Sequence, residues 1–308
     1  MNSIEKALLR QQEQANLNKT ANEQDNSDIS QRDNIDDIGS LDVIDNSIIK
    51  EESQEDEIIE ADIPSPDRIN IDLDKLHKKG FVTSGSSRQI IDEEFRSIKR
   101  KILENAFGLI SQSLTNPNII MVTSSRPGEG KTFTAVNLAL SIALEQDKTV
   151  LLVDADVLRP NVMKTLELKN QVGLMEFLLG EKANLAEVLC RTNVPKLRII
   201  AAGKRHHLST ELLASEKMFH AVEEMANRYR DRVIIIDSPP LLGINETAVL
   251  AKLAGQAIVV AEENKTKLAD IQKAVSHLNP EMAIGFVVNK AENSGSDNGY
   301  GYYYNGDE

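Results

Sequence analysis

The chain has 308 residues, 41% of them hydrophobic, and carries 48 Asp or Glu against 35 Lys or Arg, for a formal charge of −13. That length holds one large domain or two small ones. No stretch reaches the roughly 18 apolar residues of a membrane span, and a single cysteine, Cys190, excludes an internal disulfide framework and fits a reducing compartment.

The charge is unevenly placed. Residues 1–70 hold 18 acidic and 6 basic residues, a net of −12, so the other 238 residues carry −1. The acidity belongs to a leader and says little about the partners of the folded part. The leader is rich in Asn, Gln and Ser and has no aromatics. It cannot bury enough apolar surface to offset chain entropy, so residues 16–70 are expected to be disordered. Its start differs. Ile4, Ala7 and Leu8 share one face of a short helix reaching about Gln14, with no long apolar core of the kind a signal peptide needs.

From about Ile69 the pattern changes. Residues 89–106 predict an amphipathic helix, with Ile90, Ile91, Phe95, Ile98, Ile102 and Leu103 set against Glu93, Arg96, Lys99 and Arg100. Apolar strands then alternate with helices. The strands are expected at 119–123, 149–154, 197–201, 232–237, 256–261 and 282–288. The helices are expected at 133–145, 174–179, 185–190, 210–228, 246–253 and 268–278. Cys190 closes one of these helices and reads as buried filler. Strands that are apolar on both faces and separated by helices imply a mostly parallel sheet covered by helices. Residues 71–290 therefore read as one α/β domain, and 291–308 as a flexible tail with four of the five tyrosines.

The chemistry concentrates at three places. Ser124-Ser125-Arg126-Pro127-Gly128-Glu129-Gly130-Lys131-Thr132 lies between a strand and a helix, the setting of a phosphate-binding loop. Small residues let backbone N–H groups face phosphate oxygens, and the next helix presents its positive end. Lys131 would bring charge to the β- and γ-phosphates, and the Thr132 hydroxyl would bind Mg²⁺. The generic pattern has glycine where this chain has Ser125. Two apolar strands then end in acid, one at Asp154-Ala155-Asp156 and the other at Asp237-Ser238-Pro239-Pro240. Ligands of such sheets bind at the carboxyl ends of the strands, where this loop also opens. An acid after an apolar run can be a plain strand terminator, but two beside a Gly-Lys-Thr loop point to a nucleotide with Mg²⁺. His206 and His207 read as part of a surface loop.

In these motifs the chain resembles the bacterial tyrosine kinases of polysaccharide export. That family has a Ser-x-x-Pro-Gly-Glu-Gly-Lys-Ser/Thr loop, so Ser125 conforms to it. It also has an Asp-x-Asp strand end with a proline four residues on, here Asp154, Asp156 and Pro160, and an Asp-x-Pro-Pro strand end, here Asp237 to Pro240. The resemblance covers residues 85–308 and implies a P-loop NTPase fold like that of the Min and partition ATPases. It implies that the nucleotide is ATP, bound by Ser125, Pro127, Gly128, Glu129, Gly130, Lys131 and Thr132, with Mg²⁺ held by Thr132 and Asp156, assisted by Asp237. It implies Asp154 as the group that takes the tyrosine proton. Tyr300, Tyr302, Tyr303 and Tyr304 match the tail that the family phosphorylates on itself. The 13 residues from Lys290 to Tyr303 span about 45 Å when extended, enough to enter a neighbour's site.

The resemblance further implies a ring in which a Glu-x-x-Arg-x-x-Arg helix joins subunits, here Glu93, Arg96 and Lys99, with lysine lacking arginine's planar fork. It depicts a cytoplasmic kinase recruited to the membrane by an activator with a chain-length-determinant domain, opposed by a tyrosine phosphatase, with no nucleic-acid partner. The chain departs from the family at Leu158, which displaces the usual arginine to Arg159, and at Glu246, where aspartate is common. Two other readings stay open. One is a Min- or partition-type ATPase, whose early loop lysine Arg126 would imitate. The other is a nucleotide-binding scaffold without catalysis.

Overall fold

The structure is a computed structural model and describes residues 68–84 and 89–291. The expected leader and its first helix, apart from residues 68–70, and the tyrosine tail lie outside the described residues. Among the described residues eight strands form one sheet: β1 (Arg68–Ile69), β2 (Ile119–Ser124), β3 (Thr149–Asp154), β4 (Leu189–Thr192), β5 (Leu197–Ile200), β6 (Arg232–Asp237), β7 (Gln256–Glu262) and β8 (Ala283–Asn289). Their order is β1-β4-β5-β3-β6-β2-β7-β8, and every neighbouring pair is parallel except β4–β5.

The strand sequences explain the layering. Ile120, Val122, Val150, Leu152, Val233 and Ile235 point to one face and Ile119, Met121, Leu151, Val153, Ile234 and Ile236 to the other. With period-two alternation and apolar residues at both parities, a strand is stable only where both faces are covered. The first face receives α1 (Leu73–Lys78), α2 (Ile90–Phe107) and α3 (Lys131–Ala143). A one-turn helix, α4 (Val162–Thr165), packs there too. The second face receives α5 (Leu174–Leu178), α6 (Ser209–Leu213), α7 (Glu216–Arg228), α8 (Asn245–Ala251) and α9 (Leu268–Val275). Among the described residues, no helix is long and apolar enough to cross a membrane.

The structure corrects the expected elements in two places. The stretch 185–190 is not one helix but a 3₁₀ turn at Leu185–Val188 followed by β4. Cys190 pairs with Ile199 and is half-buried, so the open backbone edge of β5 outweighs the local helical pattern. The stretch 210–228 is two helices. Ser215 breaks it by accepting a hydrogen bond from the Met218 N–H, so a cap sits where continuity was expected.

Ile235 sits in β6, between β3 and β2, and is fully buried. Ile235→Ala should cost about 3–4 kcal/mol through lost transfer energy and a residual cavity. A urea unfolding series that found under about 1 kcal/mol would contradict this account of the core.

Candidate active site

The site follows from sheet order. β3 and β6 are parallel neighbours in a register that sets Asp154 opposite Asp237. β6 is also beside β2, whose last residue, Ser124, opens the loop. All three motifs therefore meet at one carboxyl edge. The loop's backbone is specialised: Gly128 and Gly130 have φ of 90° and 102°, in the left-handed region that glycine tolerates. A side chain at Gly130 would also collide with Asn289, whose Nδ2 would lie 1.8 Å from the added Cβ. Gly130 starts α3 without a side-chain cap, which leaves the helix's first N–H groups for a ligand.

The charged groups are close-set and buried. Lys131 Nζ donates to Asp156 Oδ2 at 2.7 Å and lies 3.6 Å from Asp237 Oδ1. Thr132 Oγ1 donates to Asp237 Oδ2 at 2.7 Å. Asp154 accepts from the N–H groups of Asp156 (3.2 Å), Asn161 (3.1 Å) and Val162 (3.0 Å), which fix its carboxylate. Asp156 Oδ1 accepts from the Arg159 N–H at 3.0 Å, while the Arg159 side chain lies exposed. Asp237 Oδ1 and Ser125 Oγ are buried without a hydrogen-bond partner among the described residues. Such atoms carry a desolvation cost unless a ligand satisfies them. The donor set is hydroxyl and carboxylate oxygen beside a glycine-lined helix start, which fits a Mg²⁺-bound nucleotide.

Burial penalises the charge on Lys131, but Asp237 and Asp156 outweigh it and hold its pKa above the usual 10.5. Burial, opposed by Lys131 and the Thr132 hydroxyl, raises Asp237 to about 6. Burial, followed by repulsion from Asp237, pushes Asp154 up to about 8.

Other expected residues take roles the motifs did not reveal. Glu129 is buried, and its carboxylate accepts from the Arg126 N–H (2.8 Å) and Thr266 Oγ1 (2.6 Å), bracing the loop from within. The Arg126 side chain turns away from the site and pairs with both oxygens of Asp270 at 2.8 and 3.0 Å. Glu246 is buried and accepts from Thr210 Oγ1 at 2.6 Å, pinning α8 to α6. Three residues were missed. Asn289 Nδ2 donates to the Glu129 carbonyl (3.0 Å) and Lys290 Nζ to the Gly128 carbonyl (2.8 Å), with Thr266 beside them. The available signal was a polar Asn-Lys pair ending an apolar strand at the loop's own edge.

The expected interface triplet is divided. Glu93 and Arg96 pair with each other on the outer face of α2. Lys99 does not join them. It is 8% exposed, donates to the Ser141 carbonyl at 3.1 Å and pairs with Glu145, so it grips the end of α3. At about 100° per residue, a position six after Glu93 has turned inward, whereas the seventh, Arg100, returns to the same face and is exposed.

Comparison with known proteins agrees with this fold. Residues 117–280 match the AAA domain family. Tyrosine-protein kinase ptk of Acinetobacter johnsonii is 32% identical over 229 residues, which cover 74% of this chain and 30% of that protein. The chain thus spans under a third of the length of that relative. Tyrosine-protein kinase CpsD of Streptococcus agalactiae is 30% identical over 223 residues, 70% of this chain and 95% of its own. The solved kinase domain of Escherichia coli tyrosine kinase ETK has a TM-score of 0.56 at 27% identity, covering 65% of this chain and 77% of that one.

The raised carboxylates make a pH prediction. Folded Asp154 and Asp237 hold protons that unfolded aspartates, with pKa near 4, have released. Their stabilising contribution is complete below about pH 4 and is lost as pH rises through about 6 and then 8. Without nucleotide and with a chelator, the urea midpoint should fall between about pH 5 and 9, and Asp154→Asn should flatten that slope. A midpoint that rises across this range in the native chain would contradict the assignment.

Proposed function

The chain belongs to the bacterial tyrosine-protein kinase family, and from that premise we propose that it transfers the γ-phosphoryl group of ATP to tyrosine, first to Tyr300, Tyr302, Tyr303 and Tyr304 of its own tail. The observation that carries this reading is the meeting of Lys131, Thr132, Asp154, Asp156 and Asp237 around one glycine-shaped loop. Phosphoryl transfer needs positioning and charge stabilisation more than covalent chemistry, and these residues provide both.

Gly128, Glu129 and Gly130 offer backbone N–H groups to the phosphates of ATP. Lys131 stands in reserve against Asp156 and Asp237 and exchanges part of that pairing for phosphate oxygen. Thr132 and Asp156, with Asp237 beside them, would hold Mg²⁺. When bound, that ion supplies neutralisation of the phosphate charge. Asp154, once ionised, takes the proton of the incoming tyrosine, whose own pKa near 10 makes such help useful. With burial and Asp237 raising Asp154 to about 8, labelling should climb as pH rises through that value. The commitment of Arg126 to Asp270 supports the kinase over the ATPase reading, because it removes the side chain that would imitate an early loop lysine.

The tail acts in trans. Subunits associate through the Glu93–Arg96 face of α2, and each added phosphate brings about −1.5 to −2 charges at pH 7. A phosphorylated tail repels itself and its dock, so phosphorylation opens the assembly. In the cell the kinase works on the cytoplasmic side of a polysaccharide export system, with a membrane activator that has a chain-length-determinant domain and with a tyrosine phosphatase that resets it.

Incubated with ATP and Mg²⁺, the native chain should accumulate phosphotyrosine. Lys131→Met should reduce the rate by roughly 10²–10³-fold, the scale of removing a preorganised charge-stabilising donor. Replacing the four tail tyrosines with phenylalanine should abolish self-labelling. No phosphotyrosine from the native chain, even with an activator's cytosolic segment present, would favour the ATPase reading. Asp154→Asn that kept full labelling while losing Mg²⁺ affinity would exchange the roles of Asp154 and Asp156. Sedimentation should show smaller assemblies for the phosphorylated than for the unphosphorylated protein, and equal sizes would sink the opening mechanism.

A further inference from the structure

Beside the site lies a cavity that the mechanism does not use. It has a volume of about 310 Å³, and its lining includes Pro160, Met163, Lys164, Leu168, Lys204 and Arg205. Its position is tied to the proposed base. Asn161 and Val162, whose N–H groups hold Asp154 Oδ2, lie between Pro160 and Met163 in the chain. One cavity wall is therefore the outer side of the turn that fixes Asp154.

The cavity has apolar and cationic parts. Met163 is buried and Leu168 half-buried, while Lys164, Lys204 and Arg205 are exposed. Arg159 and Lys169, also exposed, bracket the 160–168 stretch of that lining. The nearby carboxylates are already engaged. Glu181 pairs with Lys204, Glu167 with Lys75 and Lys79, and Glu176 accepts from the backbone of Gly173 and Lys204. Lys164 and Arg205 have no ionic partner among the described residues. Two such cations over apolar atoms suit an aromatic segment flanked by acids.

This chain contains such a segment. From residue 291 onward it has Glu292, Asp297, Asp307 and Glu308, no Lys or Arg, and four tyrosines. Asp307 follows Tyr304 by three residues, about 10 Å of extended chain. Building on the kinase reading above, we propose that the cavity rimmed by Lys164 and Arg205 is a docking subsite for the acidic tail of a second copy. It holds Asp307 and Glu308 while a tyrosine of the cluster enters the site beside Asp154. The subsite selects tyrosines by the acids that follow them, not by the residue at the site itself. Contacts of this kind are electrostatic and partly exposed, so docking weakens as salt rises.

The test is a charge swap between two full-length chains. The donor has its four tail tyrosines replaced by phenylalanine, and the acceptor is Lys131→Met, so phosphotyrosine on the acceptor reports transfer in trans. Adding Lys164→Glu and Arg205→Glu to the donor should raise KM for the acceptor by roughly tenfold, as two exposed attractions become repulsions. ADP binding and kcat should stay unchanged. An acceptor that also bears Asp307→Lys and Glu308→Lys should recover most of that loss with the reversed donor and lose efficiency with the unreversed one. An unreversed donor that labels normally, beside a reversed donor with the same KM, overturns the subsite and leaves the kinase reading standing. Lack of rescue by the swapped acceptor also overturns it. No labelling by any donor, with ADP binding intact, instead overturns the kinase reading on which the subsite rests.

Discussion

One lysine faces three buried carboxylates, and much of the structure around the site follows from that imbalance. Lys131 is held by Asp156 and approached by Asp237, while Asp154 is kept by backbone N–H groups alone. Buried charge of one sign is costly, and the protein meets the excess in two ways. Protons bind more tightly to Asp154 and Asp237, and the lysine is drawn down among the acids. Both responses leave the site ready for cations. The loop's N–H groups and the uncapped start of α3 leave it equally ready for anions. A site short of positive charge beside a loop short of negative charge suits a ligand that carries both, as a nucleotide with its metal does.

Sheet order makes this imbalance possible. Were β3 and β6 not adjacent, Asp154 and Asp237 would not face each other, and Asp237 would not add to the rise of Asp154. Adjacent parallel strands need long crossovers, and these place α3 on one face of the sheet and α7 on the other. The helices satisfy the apolar strands, and only the carboxyl edge remains polar. Catalytic polarity is thus confined to one rim, where the Pro160–Arg205 cavity also opens.

Much of this was legible in the residues. The strands 149–154 and 232–237 agree with the sequence reading to the residue, because each is an apolar run bounded by an acid. The Gly-Lys-Thr loop and its acids were legible for the same reason: local spacing carried them. What was hidden depended on partners distant in sequence. β4 is a strand because β5 offers it an edge. Lys99 looked like a surface charge until the end of α3 was seen to accept it. Glu129 looked like a backbone donor only, yet its side chain reaches Thr266. In each case the local pattern was sound and a contact across the fold outweighed it.

The brace on the phosphate loop has a consequence in time. Asn289 and Lys290 lie 160 and 162 residues beyond the carbonyls they hold. In a trans peptide the N–H points opposite to the carbonyl, so tying the Gly128 and Glu129 carbonyls outward turns the N–H groups of Glu129 and Gly130 the other way. That orientation cannot be imposed until β8 has joined the sheet. A growing chain makes its loop early and its brace late, and domains generally fold as units during synthesis. The chain therefore acquires a finished nucleotide cradle only when the last strand of the sheet is in place. The tail tyrosines follow a few residues later, so the cradle and its proposed first substrate leave the ribosome almost together.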